Sequence, residues 1–175
     1  MNASEPAAGR SGVRVDPRGD GTANVETGLP VLDRLLERLA EYASFDLTLE
    51  VEPGAAEAEV AEAGSALGRA LAGPLRAESA RGHGSGMMPS AEALATVALE
   101  VTDAPLLVSN VDLTQARIGG LGSDMVRRFL ERFADGAGVT LHVRLLNGTD
   151  TQHVLDAIFK ALGVALAGAC AERST

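Results

Sequence analysis

Apolar and polar positions alternate along the chain with two distinct periods. Residues 29–43 place Leu32, Leu35, Leu36, Leu39 and Ala43 on one face, and this spacing predicts an amphipathic helix. Thr27 stands where a cap belongs, and Pro30 falls in the first turn. Residues 45–51 (FDLTLEV) alternate strictly, as a half-buried strand does. Residues 58–72 return to the helical period, with Ala63, Ala66, Leu67, Ala70 and Leu71 inward, and Gly73-Pro74 is expected to stop them. The run GHGSG at 82–86 reads as a turn. Strands are expected at 93–102 and 105–113, joined as a hairpin through Asp103 and Ala104. After Gly119, Gly120 and Gly122 come a helix at 123–136, a strand at 139–146 and a helix at 151–168. Residues 1–11 are small and polar and read as a disordered tail, leaving a single domain over 12–170.

The second half repeats the first. Residues 34–49 and 128–143 share seven of sixteen residues at an offset of 94, and ALGRAL (66–71) returns as ALGVAL (161–166) at an offset of 95. The order helix, strand, helix repeats with them, so the reading is an internal duplication, with repeats over about 12–80 and 81–170. The expected fold class is α+β: a pseudo-twofold unit of two small sheets, each covered by two helices, with the helix layers packed together. Gly68 and Gly163, equivalent in the repeats, are expected to permit close helix packing.

Composition narrows the function. The 175 residues carry 15 basic and 24 acidic side chains, a net charge of −9, and only 3% aromatics, which argues against a nucleic-acid partner. A single cysteine, Cys170, excludes an internal disulfide. No apolar run suggests a membrane span or a leader, so the expected location is cytoplasmic. Lys160 is the only lysine beside fourteen arginines.

The strings TGLPVLDRLLERLAEYASFDLTLEV (27–51), PSAEALATVALEV (89–101) and GVTLHVRLLNGTDTQHVLDAIFKAL (138–162), together with the duplication, resemble imidazoleglycerol-phosphate dehydratase, an enzyme of histidine biosynthesis. The resemblance covers roughly residues 20 to 168 and implies the fold of that family, which is like ribosomal S5 domain 2. It implies a hydro-lyase that removes water from a phosphorylated imidazole diol at a two-manganese site between subunits of a trimer or 24-mer. The family's ligands are a His-His-x-x-Glu motif in each repeat, a histidine on the first helix and one on a strand. Here the first-helix histidine falls on Arg34, the first motif on Glu57, Ala58 and Ala61, and the second on Gln152, His153 and Asp156. The strand histidine is matched by His142. Residual metal candidates are therefore His142, His153, Asp156 and Glu57, with Arg34 expected to replace a metal by pairing with Asp156 or Glu57.

The phosphate site implied by the resemblance is reduced in the same way. Lys160 matches the family's helix lysine, Arg81 lies beside the position of an arginine now occupied by Gly82, and Ala104 stands at a second arginine position. The helical glutamate of the acid–base equipment is matched by Glu92, next to Ala91 where the family has aspartate. Glu92, Glu57 and Asp156 are the catalytic candidates, while His83 and Cys170 are given no catalytic role. The expectation from this ligand count is a homologue without manganese or dehydratase activity, acting as a ligand-binding, regulatory or assembly paralogue. Two alternatives stay open: a working dehydratase using manganese, or a metal-independent enzyme using Glu57, Glu62, His142, His153 and Asp156 in the same cleft. The expected partners are further copies of the chain in a homo-oligomer and a small imidazole or phosphate ligand.

Overall fold

The computed structural model describes residues 11–111, 117–118 and 121–174. The chain runs β1 (Gly12–Asp16), β2 (Ala23–Glu26), α1 (Pro30–Ala43), β3 (Asp46–Glu50), α2 (Ala56–Arg76), β4 (His83–Ser90), β5 (Ala93–Val101), β6 (Leu106–Ser109), β7 (Arg117–Ile118), β8 (Leu121–Gly122), α3 (Ser123–Ala137), β9 (Val139–Asn147) and α4 (Thr151–Cys170). Residues 1–10 of the expected tail lie outside the described residues.

The two halves share one topology. In the first sheet β3 lies between β1, antiparallel to it, and β2, parallel to it. In the second, β9 lies between antiparallel β5 and parallel β6, with β4 added outside β5. The helices cover one face of each sheet and pack across the halves, α2 on α3 and α1 on α4. This is the duplicated α+β unit that the periodicity predicts.

Glycines set the helix spacing. A Cβ on Gly68 would lie 2.5 Å from the Phe133 carbonyl oxygen and 2.8 Å from the Ala137 nitrogen. A Cβ on Gly163 would lie 2.5 Å from the Leu39 oxygen and 3.1 Å from the Ala43 nitrogen. These are the same contacts in the two repeats, and only a residue without a side chain permits backbones to approach so closely. Around these crossings the core closes on Leu32, Leu35, Leu36, Leu39, Phe45, Phe129, Phe133 and Phe159, all essentially inaccessible. Phe129 tilts against Phe159 at 5.6 Å between centroids.

Several local expectations are corrected. Gly73-Pro74 does not stop α2, which continues through Pro74 to Arg76. A proline in the last turn removes only one helical hydrogen bond. Buried Leu75 extends the stripe begun by Leu71, and Arg76 donates to the Ala137 and Gly138 carbonyls at 2.6 and 2.9 Å. Thr27 is not the N-cap of α1, a position taken by Leu29. Fully buried Thr27 instead donates its backbone N–H to Asp33 Oδ1 at 2.8 Å, and its hydroxyl to the same oxygen.

The GHGSG run is not a turn: Gly82 leads in at φ +74° and residues 83–86 belong to β4. Gly84 and Gly86 are explained by α4, because a Cβ on Gly84 would lie 2.1 Å from the Ala165 oxygen, and one on Gly86 2.6 Å from the Ala161 oxygen. Asp103 and Ala104 do not form a hairpin either. β9, whose Val139, Leu141 and Val143 are fully buried, takes the central place, and half-exposed β6 becomes an edge strand. Positions 112–113 of that expected strand lie outside the described residues. Finally, α4 is long and apolar enough to cross a membrane by length and composition, with a mean hydropathy of 1.5, contrary to the expectation that no segment is. Its apolar residues are spent on the core, with Val154, Leu155, Ile158, Phe159, Leu162 and Leu166 buried.

Candidate functional site

The hairpin between β4 and β5 has a two-residue loop, since Ser90 pairs with Ala93. The loop is Ala91-Glu92, with Ala91 at φ +49°, a left-handed conformation that a non-glycine residue adopts at some cost. The turn carries Glu92 to the N-terminus of α4. There Glu92 Oε1 accepts the Asp150 N–H at 3.0 Å, and Oε2 lies 2.6 Å from His153 Nδ1. Asp150 is the N-cap of α4 and accepts the His153 N–H at 3.1 Å.

One face of α4 continues the contact down β4. Asp150, His153, Asp156 and Lys160 are spaced by three or four residues and therefore share a helix face. Asp156 Oδ2 accepts the Ser90 hydroxyl at 2.8 Å, and Oδ1 accepts Arg38 Nε at 3.3 Å. Lys160 Nζ donates to the Pro89 carbonyl at 3.1 Å, lies 3.6 Å from Asp156 Oδ2, and sits 5.2 Å from the centre of the Tyr42 ring.

The charges of the pair follow from these bonds. The Asp150 backbone N–H above all, with the His153 ring, holds the Glu92 carboxyl down at about 2. The Glu92 hydrogen bond in turn raises His153 above the ordinary imidazole range. Glu92 is thus a carboxylate near neutral pH, beside a ring biased toward imidazolium. A histidine poised against a fixed negative charge, with 41% of its side chain exposed, can give and take protons with a bound molecule.

Other candidates lie elsewhere. His142 points from the outer face of the second sheet, in a row with Ser85, Ala98 and Val108, whereas α4 covers the opposite face. Within one chain His142 and His153 are therefore not brought together. Glu57 is exposed at the start of α2, and Glu62 bonds Arg69 at 3.2 Å. Arg81 precedes β4, with its N–H on the Ala171 carbonyl, while Lys160 meets Pro89 at the other end. Eight residues of extended chain, roughly 25 Å, separate those ends, so the two cations do not share one phosphate within a chain.

The expected role of Arg34 is corrected. It is exposed and makes no ion pair among the described residues, and Arg38, one turn further along α1, reaches Asp156 instead. Arg38, Ser90 and Asp150 were missed from the sequence. Asp150 was legible, since it continues the three- and four-residue spacing of His153, Asp156 and Lys160.

The manganese that the family resemblance implies can be tested against the donors in place. Among the described residues no three His, Cys, Asp or Glu side chains converge on one point. Ala58 and Ala61 offer no donor, and both oxygens of Asp156 are already engaged. The described residues of a single chain do not fit a metal centre.

A model of the imidazoleglycerol-phosphate dehydratase family matches residues 27–166, most of the chain. The chain belongs to the imidazoleglycerol-phosphate dehydratase family. Relatives named imidazoleglycerol-phosphate dehydratase include one from Syntrophobacter fumaroxidans, 39% identical over 152 residues, covering 85% of this chain and 77% of that protein. One from Acetivibrio thermocellus is 36% identical over 152 residues, covering 85% and 78%. The crystal structure of the Pyrococcus furiosus enzyme in complex with (S)-C348 superposes with a TM-score of 0.83 at 26% identity, covering 93% of this chain and 89% of that one. The Staphylococcus aureus imidazoleglycerol-phosphate dehydratase structure gives 0.85 at 23% identity, over 94% and 95%, and supports the fold.

These relatives overturn the expectation of a non-catalytic paralogue. That expectation rested on counting which of the family's metal-ligand positions this sequence retains. Identity of 36–39% over 85% of the chain to dehydratases favours a working member of this imidazoleglycerol-phosphate dehydratase family instead.

Proposed function

We propose that this chain is an imidazoleglycerol-phosphate dehydratase, a hydro-lyase of histidine biosynthesis, and that Glu92 and His153 serve its proton transfers. The observation that carries the reading is the 2.6 Å contact between His153 Nδ1 and Glu92 Oε2, inside the stretch that matches the family. Dehydration of a vicinal diol breaks one C–H and one C–O bond. The carbon-bound proton goes to a base, the hydroxyl leaves with a proton from an acid, and the resulting enol becomes a ketone. A ring that alternates between imidazolium and imidazole beside a fixed carboxylate suits either transfer. Lys160, on the same helix face, is the proposed contact for the substrate phosphate, and Arg81 would reach a phosphate only from another copy.

The working form is proposed to be a homo-oligomer, a trimer or 24-mer, of a single duplicated domain over 12–170, located in the cytoplasm. Met87, Leu106 and Val108, 57%, 54% and 43% exposed, share the outer sheet face with His142 and support a covered face there.

The test is turnover of imidazoleglycerol phosphate by the purified chain, with loss of one water read by mass spectrometry, with and without added manganese. The expected result is turnover that falls at least about 100-fold in Glu92→Gln. Absence of turnover by the unaltered chain with manganese supplied overturns the reading, and the difference between the two arms measures its dependence on the metal.

A further inference from the structure

We infer that Asp156 is a positioning residue, which clamps the β4–β5 turn to α4 and thereby sets where Glu92 meets His153. The inference rests on the dehydratase reading for its catalytic consequence and on geometry for the rest. The turn has a reason to move. Its first loop residue, Ala91, sits at φ +49° without the glycine or asparagine that such a position favours, so the local chain does not hold the loop by preference. Something outside the loop must hold it, and Asp156 is placed to do so. One carboxylate oxygen takes the Ser90 hydroxyl at 2.8 Å, immediately before the loop, and the other takes Arg38 Nε at 3.3 Å from α1. Asp156 is only 21% exposed, and Lys160 Nζ stands 3.6 Å away while bonding the next carbonyl back, Pro89, at 3.1 Å. Two residues beyond Ser90, Glu92 places its oxygens on the Asp150 N–H and the His153 ring. The short side chain at position 156 thus bonds the residue immediately before the turn with one oxygen and α1 with the other.

The Asp150 N–H reports the position of Glu92 directly, because Glu92 Oε1 is its acceptor. Amide hydrogen exchange in the full chain therefore reads the clamp without any assay of activity. In Asp156→Ala, exchange at Asp150 is expected to rise roughly tenfold, the loss of about one charge-assisted hydrogen bond, while amides in the middle of α4 keep their protection. kcat is expected to fall by about the same factor with KM changed less than about twofold. Ser90→Ala removes one hydroxyl only and is expected to move both readings in the same direction, which guards against a misfolded Asp156→Ala. Asp156→Asn keeps an oxygen for Ser90 and is expected to restore most of the Asp150 protection. Wild-type exchange at Asp150 in both Asp156→Ala and Ser90→Ala overturns the inference. So does a fall in kcat that leaves Asp150 exchange unchanged, which would assign Asp156 a charge role instead. If the unaltered chain turns over no substrate, the dehydratase reading fails, and the exchange data alone decide the clamp.

Discussion

Replacing Gly84 by alanine tests the claim that β4 and α4 touch backbone to backbone. The new Cβ would lie 2.1 Å from the Ala165 carbonyl oxygen and 2.7 Å from the Ala169 nitrogen. Neither atom belongs to a side chain that can turn away. Restoring an ordinary contact of about 3.4 Å requires the helix to retreat by roughly 1.3 Å, which loosens its packing on β5 as well. Overpacking of this kind costs about 1–3 kcal/mol. For a domain of this length each kcal/mol lowers Tm by roughly 2–4 °C, so the expected fall is about 2–12 °C. The assay is thermal unfolding followed by circular dichroism at fixed protein concentration, because association would move Tm by itself. Gly12→Ala is the control, because Gly12 is exposed, a Cβ there meets nothing within 4 Å, and stability should change by less than about 0.5 kcal/mol. A Gly84→Ala protein that melts at or above the unaltered chain would refute the close-approach argument.

Glu92→Gln should return the His153 titration, read by NMR, toward the ordinary imidazole value. His153 is raised in the fold, so its stabilising contribution is complete below the unfolded imidazole pKa and is lost as pH rises through the higher folded value. A wild-type His153 midpoint at the ordinary value would contradict the contact. Glu92 works in the opposite sense: its contribution is present above the unfolded carboxylate pKa and disappears as pH falls toward about 2. Burial pushes the Cys170 thiol up to about 11, so the native protein at pH 8 should react slowly with a disulfide reagent and rapidly once unfolded, with equal rates counting against it. Asp46→Ala should speed exchange at the Asp20 and Thr22 amides, whose N–H groups bond Asp46 Oδ1 at 2.9 and 3.1 Å, and unchanged exchange would show that the loop holds itself.

The amphipathic elements were legible in the sequence because burial there follows periodicity. Leu32, Leu35, Leu36, Leu39 and Ala43 are all buried as their spacing requires, and the repeat offset locates equivalent helices. The errors came where tertiary contacts outweighed local rules. Gly84 and Gly86 look like turn residues, yet they are strand residues emptied of side chains for a helix that lies more than seventy residues ahead. Asp103-Ala104 looks like a hairpin loop, but no local signal tells that β9 will enter between the two strands. In the site, Asp156 and His153 were found by resemblance and placed in a metal role. Their actual neighbours, Ser90 and Glu92, lie across a hairpin, and sequence spacing alone cannot supply that contact.

The duplication explains why the candidate site is single although the scaffold is double. Counting back by the helix offset of 95, Asp150, His153, Asp156 and Lys160 correspond to Ala55, Ala58, Ala61 and Ser65. The first repeat thus keeps the glycine that spaces the helices, Gly68, and has small side chains wherever the second repeat has chemistry. Its helix begins on Ala55, which makes no side-chain cap, whereas α4 begins on Asp150, which does. Among the described residues the first sheet also has no strand equivalent to β4, and so no hairpin turn there to carry a carboxylate toward a helix terminus. Both changes remove the same contact from opposite sides. With no such turn to grip, a histidine and a carboxylate at 58 and 61 would face solvent within one chain, on a helix held by its packing on α3 and β1. Grafting Asp150, His153 and Asp156 onto Ala55, Ala58 and Ala61 would therefore improve the helix cap without creating a second proton-transfer pair.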